Sequence, residues 1–173
     1  MTSNDLSGSM DHAARLDDPH AELLRQLQGL FAHERDALAN AANMAALAYQ
    51  LLPALNWAGW YFGRGEELVL GPFQGKPACV RIGRGKGVCG AAALERRSQR
   101  VADVHAFAGH IACDAASRSE LVVPVLSGEC VVGVFDLDSP QPGRFTEADQ
   151  ACIERAVQAW VNCSELAGWP FGY

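Results

Sequence analysis

What most limits the folds open to this chain is two pairs of short apolar runs, each pair split by a glycine-bearing turn. Leu55–Phe62 and Leu68–Gln74 are joined through Gly63-Arg-Gly-Glu66, and Glu120–Leu126 and Cys130–Asp138 through Ser127-Gly128. Runs of this length, rich in β-branched and aromatic residues and bounded by glycine turns, predict antiparallel hairpins. Helical spacing flanks them. From Pro19 onward Leu23, Leu24, Leu27, Leu30 and Phe31 share one stripe, and Leu38, Ala41, Ala45, Ala48 and Leu52 share another between Glu34 and Leu52, where Pro53 ends the pattern. After a Thr146/Asp149 N-cap, Ile153, Ala156, Trp160 and Cys163 form a last stripe, stopped by Gly168 and Pro170. A shorter helix is expected from about Val88 to Arg97 and a brief strand at Val101–Val104. Hairpins separated by helices give an α+β domain. Its central antiparallel sheet should have about five or six strands, with helices from both chain ends packed on one face.

The 173 residues fit one domain. Residues 1–19 are Ser-, Asp- and Gly-rich without periodicity and are expected to be a disordered tail. Residues 20–168 form the domain, and 169–173 a C-terminal tail. A net charge of -6 argues against a nucleic-acid partner and against an anionic membrane surface. No apolar run approaches the roughly 20 residues of a membrane span, and Met1–Leu6 lacks the features of a secretion signal. The expected location is cytoplasmic. Six cysteines in that compartment are expected to be thiols rather than static disulfides. Cys130, Cys152 and Cys163 fall in strand or helix patterns, as small buried hydrophobes do. Cys79, Cys89 and Cys113 fall in Gly-, Pro- or Ala-rich connecting sequence, where a thiol can be reached.

The segment His105–Glu120 concentrates ionisable groups around one of those thiols. His105, His110, Asp114 and Glu120 all lie within eight positions of Cys113, which is the pattern of a reactive loop on a rigid scaffold. Cys113 is therefore the candidate redox nucleophile. On Cys130–Asp138, alternation places Val132, Val134, Asp136 and Asp138 on one face and Val131, Gly133, Phe135 and Leu137 on the other. Two carboxylates thus emerge side by side, with Glu120 at the mouth of the adjacent strand. Three carboxylates on one rim repel each other unless a cation binds or one stays protonated. On Leu55–Phe62 aromatics fall on both faces, with Trp57 and Tyr61 on one side and Trp60 and Phe62 on the other. One face should meet helices and the other a pocket. Gly83-Arg-Gly-Lys-Gly87 is neither a Walker A loop nor a dinucleotide fingerprint and is expected to be a flexible lid.

Several strings carry a resemblance. They are Trp57-Ala-Gly-Trp-Tyr61, Gly71-Pro-Phe-Gln-Gly-Lys-Pro-Ala-Cys79, Gly85-Lys-Gly-Val-Cys89-Gly90, Gly109-His-Ile-Ala-Cys113-Asp-Ala-Ala-Ser117 and Phe135-Asp-Leu-Asp138-Ser-Pro140. Together they resemble the free methionine-(R)-sulfoxide reductase family, which uses a GAF-type domain, over about residues 20 to 165 of this chain. Trp60, Ala108 and an extra Cys130 depart from the family pattern at positions without an assigned chemical role. The resemblance implies that Cys113 is the nucleophile, Cys79 the resolving cysteine and Cys89 an accessory thiol. It implies a substrate pocket of Trp57, Tyr61, Glu120, Asp136 and Asp138; because mutual repulsion keeps one of those carboxyls protonated, Glu120 or Asp138 is the expected proton donor. It also implies free methionine sulfoxide as substrate, preference for the R epimer and thioredoxin as the external dithiol, with no bound cofactor and no metal. A homodimer is expected, with the first two helices the candidate contact.

Three rivals are weighed against it. A non-catalytic, small-molecule-sensing GAF domain would need no thiols at 79, 89 and 113. A zinc site from Cys79, Cys89, Cys113 and His105 or His110 lacks the paired spacing of zinc ligands. A cysteine hydrolase lacks a readable Cys-His-Asn signature.

Overall fold

The computed structural model describes residues 18–107 and 115–169. Cys113 and His110 lie outside that range, as do most of the expected N-terminal tail and residues 170–173. Six strands, β1 (Trp57–Arg64), β2 (Glu67–Gly75), β3 (Arg81–Gly83), β4 (Gln99–Val101), β5 (Ser119–Ser127) and β6 (Cys130–Ser139), make one sheet in the order β3-β2-β1-β6-β5-β4. Every neighbouring pair is antiparallel. The four described helices are α1 (Pro19–Phe31), α2 (Ala37–Leu51), α3 (Gly87–Glu95) and α4 (Glu147–Cys163). The expected α+β architecture is observed.

Local chemistry sets the helix starts. Asp18 accepts from the His20 backbone N–H at 2.9 Å just before Pro19, which occupies the first helical turn where a missing N–H is harmless. The second helix begins at Ala37 rather than at Glu34. The Glu34 carboxylate accepts from the N–H groups of Arg35 and Asp36, and Asp36 itself caps the helix by accepting from Ala39 at 2.8 Å. Thr146 and Asp149 close a reciprocal capping box at the start of α4.

The sheet divides two apolar clusters. On one side α1, α2 and α4 cover Ala58, Trp60, Phe62, Leu121, Phe135 and Leu137, so helices from both ends share one face, as expected. Trp60 and Trp160 are fully buried there, and their indole N–H groups donate to the carbonyls of Ala41 at 2.9 Å and Ala37 at 3.0 Å. Both rings therefore contribute their full apolar area without an orphaned donor. On the other side α3 packs over Tyr61, Leu68, Ile82, Val122 and Val134.

The structure corrects the sequence expectations in three places. Strand β3 has no counterpart in the pattern. The strand expected at Val101–Val104 is instead Gln99–Val101, followed by a 3-10 turn, Val104–Ala106, which Asp103 caps by accepting from the His105 N–H at 3.1 Å. A bulge also interrupts the β5–β6 ladder. Val125 pairs with Gly133 but Leu126 pairs with Val131, which leaves Val132 unpaired. Val131 consequently joins the α3 side and Val132 the helical layer, the reverse of simple alternation. A second bulge sets Gly71 and Pro72 opposite Trp60 on β2, where a residue lacking an N–H costs no ladder bond.

Candidate active site

Register builds the site. Across β1, β6 and β5, Trp57 pairs with Asp138 and Asp138 with Glu120, while Gly59 pairs with Asp136 and Asp136 with Val122. Trp57, Asp138 and Glu120 therefore stand level on three adjacent strands, with Asp136 two positions along the same face. They line one cleft together with Tyr61 and Cys89. All five residues expected to form a pocket are in this one cleft.

The carboxyls are not solvated rim charges. Glu120 and Asp136 are 6% and 5% exposed, and Asp138 is half-buried. Burial pushes the Glu120 carboxyl well above the usual carboxylate range, and repulsion from Asp136 and Asp138 adds to the shift. Burial raises Asp136 to about 7, although hydrogen bonds from Cys89 and Glu120 oppose it. One oxygen of Asp136, Oδ1, is buried and accepts no hydrogen bond. Near neutrality such a cluster holds protons rather than full negative charge.

Cys89 differs from its expectation. It lies not in an accessible connection but in the first turn of α3, 4% exposed. Gly87, at φ 61°, and Gly90 turn that helix start inward. A Cβ on Gly90 would stand 2.8 Å from the Gly83 carbonyl oxygen, so only glycine lets the two backbones close. The Cys89 Sγ sits 3.3 Å from Asp136 Oδ2 and 3.9 Å from Glu120 Oε1. Burial, followed by those two charges, pushes its thiol pKa well up. In this conformation Cys89 is a hydrogen-bond donor rather than a thiolate.

Trp57 stacks on Tyr61 and on Phe73, with centroids 5.8 and 5.5 Å apart. Their polar atoms hold the segment above the cleft. Trp57 Nε1 donates to the Lys76 carbonyl at 3.2 Å and the Tyr61 hydroxyl to the Cys79 carbonyl at 3.0 Å. Cys79 is disulfide-bonded, whereas Cys89, Cys130, Cys152 and Cys163 carry free thiols. Cys152 is buried as expected, while Cys130 and Cys163 are only half-buried. Cys113 falls outside the described residues. His105 is exposed on its 3-10 turn and is not part of the cleft wall.

Three polar cleft residues, Lys76, Lys86 and Ser117, have no assigned role in the sequence expectations. Ser117 accepts from Asn56 Nδ2 at 3.0 Å. Lys86 precedes Gly87 at the start of α3 without a side-chain cap, so the first N–H groups of that helix have no partner within it. The glycine-rich run around Lys86 was the available signal. It matches no phosphate motif, so the sequence predicts only a lid there.

The GAF domain family profile matches residues 21–160. Protein YtsP of Bacillus subtilis (strain 168) is 55% identical over 138 residues, covering 79% of this chain and 85% of that protein. The free methionine-R-sulfoxide reductase of Escherichia coli (strain K12) is 50% identical over 138 residues, covering 80% of this chain and 84% of its own length. The X-ray structure of free methionine-R-sulfoxide reductase from Neisseria meningitidis in complex with its substrate superposes with a TM-score of 0.80 at 39% identity, over 83% of this chain and 86% of that one. Matches of this identity over four-fifths of the chain, on the same six-stranded antiparallel fold, decide its kinship: the chain belongs to the GAF domain family and, within it, to the free methionine-R-sulfoxide reductases.

Proposed function

We propose that this protein reduces free L-methionine (R)-S-oxide to L-methionine by thiol chemistry. The observation that carries the reading is the cleft itself: two buried, proton-holding carboxyls and a half-buried third converge beside an aromatic wall and the backbone of Cys79.

A sulfoxide sulfur becomes electrophilic as its oxygen takes a proton, so the site needs a thiolate and an acid. The Cys113 thiolate attacks the sulfur. A carboxyl of the trio supplies the proton: Glu120, whose pKa burial raises, or Asp138 beside it in the ladder. Methionine leaves, and the oxygen remains on Cys113 as a sulfenic acid. The Cys79 thiol then attacks that sulfur, water departs and a disulfide forms. An external dithiol, thioredoxin, reduces it and returns both thiols. The disulfide-bonded state of Cys79 beside four free thiols supports its place in a redox pair.

Charge matching accounts for the free amino acid. The α-ammonium pairs with the carboxylates. Lys76, Lys86 and the N-terminal N–H groups of α3, on the same cleft, suit the α-carboxylate. A residue within a peptide has neither charge, and a buried site left unpaired rejects it strongly. Trp57 walls the methyl and sulfur end. The reading extends to a cytoplasmic homodimer that turns over without a bound cofactor. No described helix is long and apolar enough to cross a membrane, and exposed Leu30 and Leu38 near the α1–α2 junction support a contact there.

The test is NADPH consumption with thioredoxin, thioredoxin reductase and free methionine (R)-sulfoxide. A flat trace for the wild-type chain removes the reading in favour of a binding domain. Cys113→Ser should abolish turnover. Cys79→Ser should release about one equivalent of methionine per chain and then stall.

A further inference from the structure

We propose that the floor of this cleft is also a binding site for one thiophilic divalent cation of the zinc class, held by Cys89 Sγ and carboxylate oxygens of Glu120 and Asp136, and that its occupation excludes the substrate. The three donor atoms come from α3, β5 and β6 and lie within 4.8 Å of one another. All three residues are more than nine-tenths buried, so the site is set by the packing of a helix on a sheet rather than by a mobile surface cluster.

The spacing fits a tetrahedral ion. Zinc bonds of ~2.3 Å to sulfur and ~2.1 Å to oxygen place S and O ligands ~3.6 Å apart. The two Cys89 Sγ to carboxylate distances, 3.3 Å to Asp136 and 3.9 Å to Glu120, straddle that value. Side-chain shifts of a few tenths of an ångström complete the geometry. A separate observation also points to a missing partner: Asp136 Oδ1 is buried with no hydrogen bond, a condition that costs stability until something electropositive arrives. The fourth position opens toward the cleft. One thiolate with two carboxylates favours zinc or cobalt over magnesium or calcium, which prefer oxygen ligands alone. On binding, the thiol proton and any protons on the two carboxyls leave to solvent and the cation takes their place.

The ion would occupy the oxygens that the substrate ammonium and the proton transfer require, so inhibition should be competitive and reversed by chelation. This half of the proposal rests on the cleft being the substrate site; the binding half does not.

The two halves are tested separately. Cobalt(II) is titrated into the full-length chain with its disulfide intact, which keeps Cys79 and its bonded partner out of the coordination. One equivalent per chain should give a thiolate-to-cobalt charge-transfer band, displaced by zinc and not by magnesium. Cys89→Ser should lose the band, and Asp136→Asn should weaken cobalt binding at least ~10-fold even if the serine variant folds poorly. Cys130→Ser should keep it. Absence of a band in the wild-type chain, or its survival in Cys89→Ser, overturns the site. For the second half, zinc should raise KM for methionine sulfoxide without lowering kcat, and a chelator should restore the rate. Binding without that effect overturns the competition. Turnover in chelator with no added metal reports the reductase activity independently of either result.

Discussion

The Tyr61 hydroxyl donates to the carbonyl oxygen of Cys79 at 3.0 Å, so a side chain rooted in the centre of β1 holds the backbone of a cysteine 18 residues further on. Tyr61 is thus more than a pocket wall: its ring stacks on Trp57 while its polar tip fixes the segment that carries Cys79. Tyr61→Phe keeps the stack and removes a hydrogen bond of ~1 kcal/mol. We expect the first equivalent of methionine to appear at close to the wild-type rate and steady-state recycling to slow about 5-fold, as measured by rapid quench against the coupled assay. An equal loss in both phases would place the hydroxyl on the substrate instead.

Asp136 is held in the fold at a cost in stability. Its pKa in the fold, about 7, lies above its ordinary 3.8, so between those values the folded state binds more protons than the unfolded one. Stability therefore falls as pH rises through this window, and the penalty is complete above about pH 7. Asp136→Asn cannot ionise. It should raise the melting temperature above pH 7 by ~2–4 °C or more, equivalent to ~1 kcal/mol in a chain of this size. Below about pH 4 it should give no gain, and turnover should fall at least ~10-fold. Thermal melts across pH would show the crossover, and a variant no more stable at pH 8 would refute the argument.

Asp149 behaves in the opposite sense. Burial alone would raise its pKa, but donors from Thr146, His20 and Arg144 bring it to about 2. Thr146 N and Oγ1 both lie 2.7 Å from Oδ2, Arg144 Nη1 2.9 Å from Oδ2, and His20 Nε2 2.9 Å from Oδ1. The network ties α1 to the start of α4. With a depressed folded pKa, its stabilisation is present above the ordinary 3.8 and is lost as pH falls toward 2. Asp149→Ala should cost ~3 kcal/mol at pH 7 in urea denaturation and close to nothing at pH 2. The substrate affinity of the folded variant should be unchanged, because Asp149 is not among the residues lining the cleft.

Two glycines with different constraints make a control pair. A Cβ on Gly133 would stand 2.2 Å from the Tyr61 carbonyl oxygen and 3.0 Å from the Phe62 Cα. Both are backbone, so β1 and β6 would have to separate beneath the cleft. Gly128, at φ +59°, has nothing within 4 Å and would meet only the left-handed backbone penalty. Gly128→Ala should therefore cost ~1 kcal/mol, and Gly133→Ala more than ~3 kcal/mol together with loss of activity. Similar losses from the two would mean that close approach is not what selects Gly133.

Much of the framework could be read from local signals. Turn glycines at Gly65 and Gly128, the period-two runs between them and the Thr146/Asp149 cap each act over a few residues, so the hairpins, the last helix and the α+β class followed directly. The same period placed Asp136 and Asp138 on one face, and the cysteine spacing supported the family. Tertiary structure decided the rest. Which residue stands opposite Asp138 is a matter of register, and Glu120 is there because β5 and β6 align that way. The bulge at Val132 reverses two side chains that alternation had placed, and it arises from pairing between strands. Cys89 is turned inward because Gly90 lets α3 close on the Gly83 backbone, while Lys76 and Lys86 reach the cleft from loops with no period to read. Backbone propensity and turn chemistry act within a segment and so are written along the chain. Register, burial and pKa arise between segments far apart in sequence, and they exist only once the sheet has formed.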